Sequence, residues 1–150
     1  MLLGYYSIKI DEKGRLAVPK HCRGEIGENL VIARWYEGCL LLINRKLWGG
    51  YLVRLTGGEL ATLAARDTDR FLLAGSFEVG LDKQGRFVVP PTLREYAKIN
   101  DDVIIAGLGD KLEIWDKKSW EEREEMIIGQ AGEKVERLYR ERQGGQNAKK

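Results

Sequence analysis

The sequence predicts a mainly β fold with helices around it, built from two tandem copies of one unit. Three observations carry that expectation. First, Asp11-Glu12-Lys13-Gly14-Arg15-Leu16-Ala17-Val18-Pro19 recurs as Asp82-Lys83-Gln84-Gly85-Arg86-Phe87-Val88-Val89-Pro90, an offset of 71 residues. Second, each copy continues into two short apolar runs bounded by turn residues: Leu30–Arg34 and Leu40–Ile43, then Val103–Ala106 and Leu112–Trp115. Third, Thr92-Leu93-Arg94-Glu95 and Ser119-Trp120-Glu121-Glu122 have the spacing of helix-opening capping boxes. Two copies are too few for a solenoid, which needs at least three. The expected architecture is therefore two halves completing one core across a pseudo-twofold axis.

The elements follow in chain order. Tyr5–Ile10 alternates partly and is rich in β formers, so it reads as a strand. Asp11 to Gly14 supplies turn chemistry, with Gly14 suited to a positive-φ position. Leu16-Ala17-Val18 returns as a second strand, so each unit is expected to open on a hairpin, and Pro19 ends it. Phe77-Glu78-Val79, the Asp82–Gly85 turn and Phe87-Val88-Val89-Pro90 repeat the arrangement. A short helix is expected after each proline, and Arg23 aligns with Arg94 inside it. Between the copies, Asn44 to Leu55 has helical composition weakened by Gly49-Gly50, and Glu59 to Arg66 reads as a short helix. Trp120, Ile127, Ala131 and Leu138 recur at helical spacing near the end, with Gly129 and Gly132 placed to bend or interrupt that helix. The resulting division is a first repeat over 5–48, a helical linker over 49–75, a second repeat over 76–120, a C-terminal helix over 121–142 and a disordered tail over 143–150.

Composition narrows the function classes. The chain has 150 residues, 43% hydrophobic and 32% charged, enough apolar material for a core. Its longest apolar run, Cys39 to Ile43, is far short of a membrane span, and Met1-Leu2-Leu3-Gly4 lacks the basic flank of a signal peptide. Cys22 and Cys39 make no C-x-x-C pair and no disulfide framework. A cytosolic protein without membrane partners is expected. The single histidine, His21, has no second histidine to share a metal and lies beside Cys22, with which a helix would not align it. The Gly57-Gly58-Glu59 and Gly107-Leu108-Gly109-Asp110 turns do not continue into the residues of a phosphate loop. Neither a catalytic group nor a cofactor or metal site is expected.

Charge points elsewhere. The net charge is only +2, but residues 1–55 carry nine basic and five acidic side chains while residues 56–116 carry seven and eleven. Asymmetry of this kind suggests a polyanion partner for one part of the surface. Within it stands the doubled Asp-x-x-Gly-Arg. An arginine leaving a tight turn presents a planar fork that can bridge phosphate oxygens or bind guanine O6 and N7 together, and the aspartate four residues earlier can orient it. The alternative is a plain turn with a cross-turn ion pair worth ~0–1 kcal/mol; two copies in phase favour a function.

At these residues the chain resembles the MraZ family, within the wider AbrB/SpoVT-type DNA-binding fold. The likeness spans roughly residues 1–142 and rests on both Asp-x-x-Gly-Arg-x-x-x-Pro copies, on Leu93-Arg94-Glu95-Tyr96-Ala97, and on Glu113-Ile114-Trp115-Asp116 followed by Trp120. It implies a swapped-hairpin β-barrel formed by the two halves with peripheral helices, and ring-shaped homo-oligomers. It also implies a bacterial, nucleoid-associated transcriptional regulator, not an enzyme, that binds short G-rich repeats in double-stranded DNA upstream of the division and cell-wall gene cluster. Carried over, it makes Arg15 and Arg86 the primary DNA contacts, Asp11 and Asp82 their orienting partners, and Gly14 and Gly85 the turn residues. Lys13 becomes a phosphate contact whose counterpart Gln84 is neutral. Lys9, Lys20 and Arg23 follow as secondary contacts from position and charge. A second reading of the same fold is a protein-interaction module, antitoxin-like or a ring scaffold, with Trp120 to Arg142 as its partner helix.

Overall fold

The computed structural model describes residues 1–148. The chain divides into two compact units, the first spanning Met1–Lys117 and the second opening at Lys118. In the first lie β1 (Tyr5–Lys9), β2 (Arg15–Ala17), α1 (Lys20–Ile26), β3 (Asn29–Arg34), β4 (Leu40–Asn44), α2 (Arg45–Thr56) and α3 (Leu63–Leu73). They are followed by β5 (Ser76–Gly80), β6 (Arg86–Val88), α4 (Pro91–Tyr96), β7 (Asp102–Gly107) and β8 (Lys111–Asp116). The second unit is essentially one helix, α5 (Lys117–Asn147).

Strand pairing crosses between the halves. All pairs are antiparallel, and the main sheet runs β1-β7-β8-β4-β3-β5, with β2 and β6 forming a separate two-stranded ribbon. That order is unchanged when each strand is exchanged for its repeat equivalent, so the pseudo-twofold axis passes between β4 and β8. It passes also through the ribbon, where Leu16 pairs with its own equivalent Phe87.

Two expectations are corrected here. The β1–β2 and β5–β6 hairpins do not form as paired strands: β1 pairs with β7, β5 with β3, and β2 with β6. A lone two-stranded hairpin is marginal in water; crossing over lets β1 and β5 extend a six-stranded sheet and lets Leu16 and Phe87, 0% and 3% exposed, close the core together. Nor is the sheet a closed barrel: β1 and β5 are its two edges. It is a mixed α/β arrangement of antiparallel sheet and helices.

The central strands of the sheet are buried on both faces. Leu30, Ile32, Leu40, Leu42, Ile105 and Leu112 point into a core shared with the ribbon and with Cys22, Ile26 and Leu93 of α1 and α4. Their neighbours Val31, Ala33, Leu41 and Ile43 face the other way and are buried too, on the side where α2 and α3 lie against β3 and β4. Strands buried on both faces read as continuous apolar runs, as the sequence has them. Each fully buried Leu or Ile contributes about 1.5–3 kcal/mol.

α1 and α2 begin where expected, whereas the starts of α3, α4 and α5 shift. Asn44 caps α2 by accepting from the Lys46 N–H at 3.0 Å, and α2 runs unbroken through Gly49-Gly50. Thr62 caps α3 by accepting from the Ala65 N–H at 3.1 Å, which moves that helix from the expected 59–66 to Leu63–Leu73. The Thr92 and Ser119 capping boxes do not operate as such. α4 begins at Pro91, a favoured first helical position, and α5 begins at Lys117, so Thr92 and Ser119 both lie inside their helices. α5 passes straight through Gly129 and Gly132 and carries 143–147 as helix where an unstructured tail is expected. Extending a formed helix is far easier than starting one, and no proline stops it. Lys149 and Lys150 lie outside the described residues. Among the described residues no helix is long and apolar enough to cross a membrane.

Candidate nucleic-acid interface

The Asp-x-x-Gly-Arg segments fold into two nearly superimposable turns. In the first, the Gly14 N–H donates to the Asp11 carbonyl at 3.0 Å and the Asp11 N–H to the Arg15 carbonyl at 3.0 Å. The Asp11 carboxylate then organises the loop: Oδ1 accepts from the N–H of Lys13 at 2.9 Å and of Arg15 at 2.8 Å, while Oδ2 accepts from Arg15 Nε at 2.6 Å. In the second, Asp82 Oδ1 accepts from the N–H of Gln84 and Arg86, both at 2.9 Å, and Oδ2 from Arg86 Nε at 3.1 Å. The glycines take φ of +75° and +73°, the left-handed region that closes such turns.

Each arginine is thereby held through Nε. The two terminal Nη groups, which form the outer fork, are not used by the aspartate. Both side chains are half-buried, Arg15 34% and Arg86 29% exposed. The backbone N–H groups of Arg15 and Arg86 are the largest influence lowering the Asp11 and Asp82 pKa values, against a smaller opposing effect of burial. The carboxylates are therefore ionised at neutral pH and hold their arginines throughout.

The ribbon brings the two arginines together. Arg15 pairs with Val88 and Ala17 with Arg86, so Arg15, Ala17, Arg86 and Val88 share the face opposite Leu16 and Phe87. Arg15 and Arg86 are diagonal neighbours, a placement that sets Cα atoms about 7–8 Å apart. They are neither interior nor at opposite ends of the molecule.

Each turn is also tied to the other half. The Val18 N–H donates to the Gly85 carbonyl and the Val89 N–H to the Gly14 carbonyl, both at 2.9 Å. Arg23 lies over the second turn, its Nε donating to the Val18 carbonyl at 2.9 Å and standing 2.1 Å from where a Gly85 Cβ would be. Its equivalent Arg94 lies against the first turn, 3.7 Å from the corresponding point on Gly14, and donates to the Ile99 and Asn100 carbonyls at 3.3 and 3.2 Å.

The remaining expected residues spread outward. Lys13 and Gln84 are exposed at the turn tips. Lys20 is exposed at the start of α1, and Lys9 is exposed with Nζ 4.0 Å from Asp102. Arg23 is engaged internally through Nε, and Arg94, absent from the expected site residues, takes the matching place in the other half. Its alignment with Arg23 in the repeat is the signal that could have found it. His21 is exposed with its ring 4.6 Å from that of Tyr6, whereas Cys22 is buried, so the two do not act together. Among the described residues no cluster of His, Cys, Asp or Glu could hold a metal ion.

Comparison with known proteins agrees with the repeat. One family model, described as "MraZ protein, putative antitoxin-like", matches twice, over residues 1–71 and 72–139. A protein of Thermoanaerobacter pseudethanolicus named "Transcriptional regulator MraZ" is 42% identical over 122 residues, covering 81% of this chain and 85% of its own. Proteins of the same name from Herpetosiphon aurantiacus and Oenococcus oeni are 39% and 38% identical over 81% of this chain and 85% of theirs.

Proposed function

The chain belongs to the MraZ family, and from that premise we propose that it regulates transcription by reading short G-rich repeats in duplex DNA with the outward face of its β2–β6 ribbon. It is a transcriptional regulator and not an enzyme. The observation that carries the finer reading is the pair of Nε-anchored arginines on one face of one ribbon. A two-stranded ribbon fits the major groove, where an arginine fork bound to guanine O6 and N7 is the commonest specific contact. Diagonal neighbours about 7–8 Å apart match guanines roughly two base steps apart at ~3.4 Å per step.

In this reading Arg15 and Arg86 contact bases, and Asp11 and Asp82 fix their forks. Gly14 and Gly85 let the turns close. Lys13 contacts a phosphate at one turn tip where Gln84 offers no charge at the other, so the two halves contribute unequally. Lys9 and Lys20 add phosphate contacts at the margin. Arg23 and Arg94 are positioning residues that brace the turns. A net charge of +2 gives little long-range attraction, so a homo-oligomeric ring supplies avidity on repeated sites. The resemblance makes the bacterial division and cell-wall gene cluster the target and the nucleoid the working location.

Selection of bound duplexes from a random pool tests this. The expected outcome is enrichment of a repeated G-rich motif; enrichment of no motif at low salt contradicts it. The antitoxin-like wording of the family description favours a second reading, a module that holds another protein. Tight co-purification of one protein, with no duplex binding at low salt, distinguishes that case.

A further inference from the structure

α5 (Lys117–Asn147) has no buried residue, although Ile127, Ile128, Val135, Leu138 and Tyr139 lie along it, all exposed. Ile128, Ala131, Val135 and Leu138 follow one another at intervals of three and four, the spacing of a helix–helix seam. At about 100° per residue they fall within a single narrow stripe. The intrahelical ion pairs Arg137–Glu141 at 3.1 Å and Arg140–Glu136 at 3.5 Å are made by residues off that stripe, so the seam itself stays apolar.

Charge names the occupant and its direction. Continued at the same spacing, the stripe meets Glu124 at its N-terminal end and Arg142 at its C-terminal end. Around those ends, residues 121–125 hold four glutamates and one arginine, whereas residues 134–142 hold four basic and two acidic side chains. A second α5 turned end for end sets Ile128 against Leu138 of the second copy and Ala131 against its Val135. It also sets Glu124 against its Arg142. A copy in the same direction opposes Glu124 with Glu124 and Arg142 with Arg142.

We propose that α5 is a homotypic docking helix that pairs antiparallel with α5 of a second copy of this chain. The proposal does not depend on DNA reading, and its test involves no DNA. Ile128→Cys and Leu138→Cys are made separately in the full chain. Native Cys22 and Cys39 are buried, so the wild-type chain sets the background. After subunit exchange and treatment with a thiol oxidant, an equimolar mixture of the two variants gives several-fold more crosslinked dimer than either alone. Equal crosslinking by each variant alone indicates a parallel pair and overturns the proposal, as does crosslinking no greater than that of wild type. A charge exchange gives an independent reading by sedimentation. Glu124→Arg and Arg142→Glu each weaken self-association about tenfold, and the double variant restores it. Failure of the double variant to restore it, with helix content unchanged, counts against the pairing. So does recovery of α5 bound to a different protein in place of a second copy.

Discussion

Arg15 and Arg86 each give one nitrogen to an aspartate and keep a two-pronged fork for something else. Replacing Arg15 by Ala removes the fork but leaves a turn still closed by the Gly14-to-Asp11 backbone bond. Specific DNA affinity is expected to fall by ~1–3 kcal/mol, with fold stability reduced by no more than the ~0–1 kcal/mol of a partly exposed ion pair; a lysine, lacking the planar fork, does not rescue the affinity. Titration binding with Arg15→Ala, Arg15→Lys and wild type checks this. The aspartates make a pH prediction whose sign follows from their lowered pKa values. A carboxylate more acidic in the folded than in the unfolded chain stabilises the fold above its unfolded pKa, and that support is lost as pH falls through the folded value. The turns should therefore be indifferent to pH between 8 and 5, as far as these groups are concerned, and loosen only below the ordinary aspartate value of about 3.9. The amide signals of Gly14 and Gly85 report it; an inflection at or above that value contradicts the geometry. The Asp–Arg pairs are legible in the sequence because they lie four residues apart in one turn. The close approach of Arg23 to Gly85 is not, because it meets the turn of the other half and only the cross-half pairing of β2 with β6 brings it there.

The two turns look alike but tolerate change differently. A side chain at Gly14 or Gly85 forces an L residue into left-handed backbone, costing ~1–2 kcal/mol. At Gly14 the nearest atom to a new Cβ is 3.7 Å away, so strain is the whole effect. At Gly85 the new Cβ falls 2.1 Å from Arg23 Nε and pushes the guanidinium off the Val18 carbonyl. A hydrogen bond from a charged group is worth ~1.5–3 kcal/mol when buried and less when half-exposed. Gly85→Ala should thus lose about 1 kcal/mol more than Gly14→Ala in urea unfolding, and equal losses contradict this placement of Arg23. Strand positions were readable from apolar runs, since the central strands are buried on both faces. Strand partners were not, because adjacency in sequence favours a hairpin while burial of Leu16 and Phe87 requires the two halves to interleave. Helix starts shifted for a similar local reason: a Thr or Ser four-residue pattern suggests a cap, but Pro91 and Lys117 begin their helices earlier.

At the scale of the molecule, duplication in the sequence becomes a pseudo-twofold axis in the sheet, and the offset between copies was enough to predict a shared core. The helical cover of the sheet is not readable, because a run such as Leu40–Ile43 does not say whether its outer face meets water or helices. Here α2 and α3 lie on that face. The central strands β4 and β8 pair across the axis, so truncating Leu42 or Leu112, both 0% exposed, should cost ~2–5 kcal/mol. Such a loss unfolds both halves together, which a single cooperative transition in calorimetry would record. DNA binding should also weaken with salt, its log–log slope becoming less steep by about 0.9 when Lys13→Ala removes one phosphate contact. Whether the ribbon's arginines grip guanine edges is decided by replacing the guanines of the selected duplex with 7-deazaguanine, which deletes N7 and little else. The wild-type chain should lose much of its affinity, and the Arg15→Ala, Arg86→Ala double variant should bind both duplexes equally. If the double variant loses as much as wild type, or if wild type does not respond, guanine is not read by these two side chains.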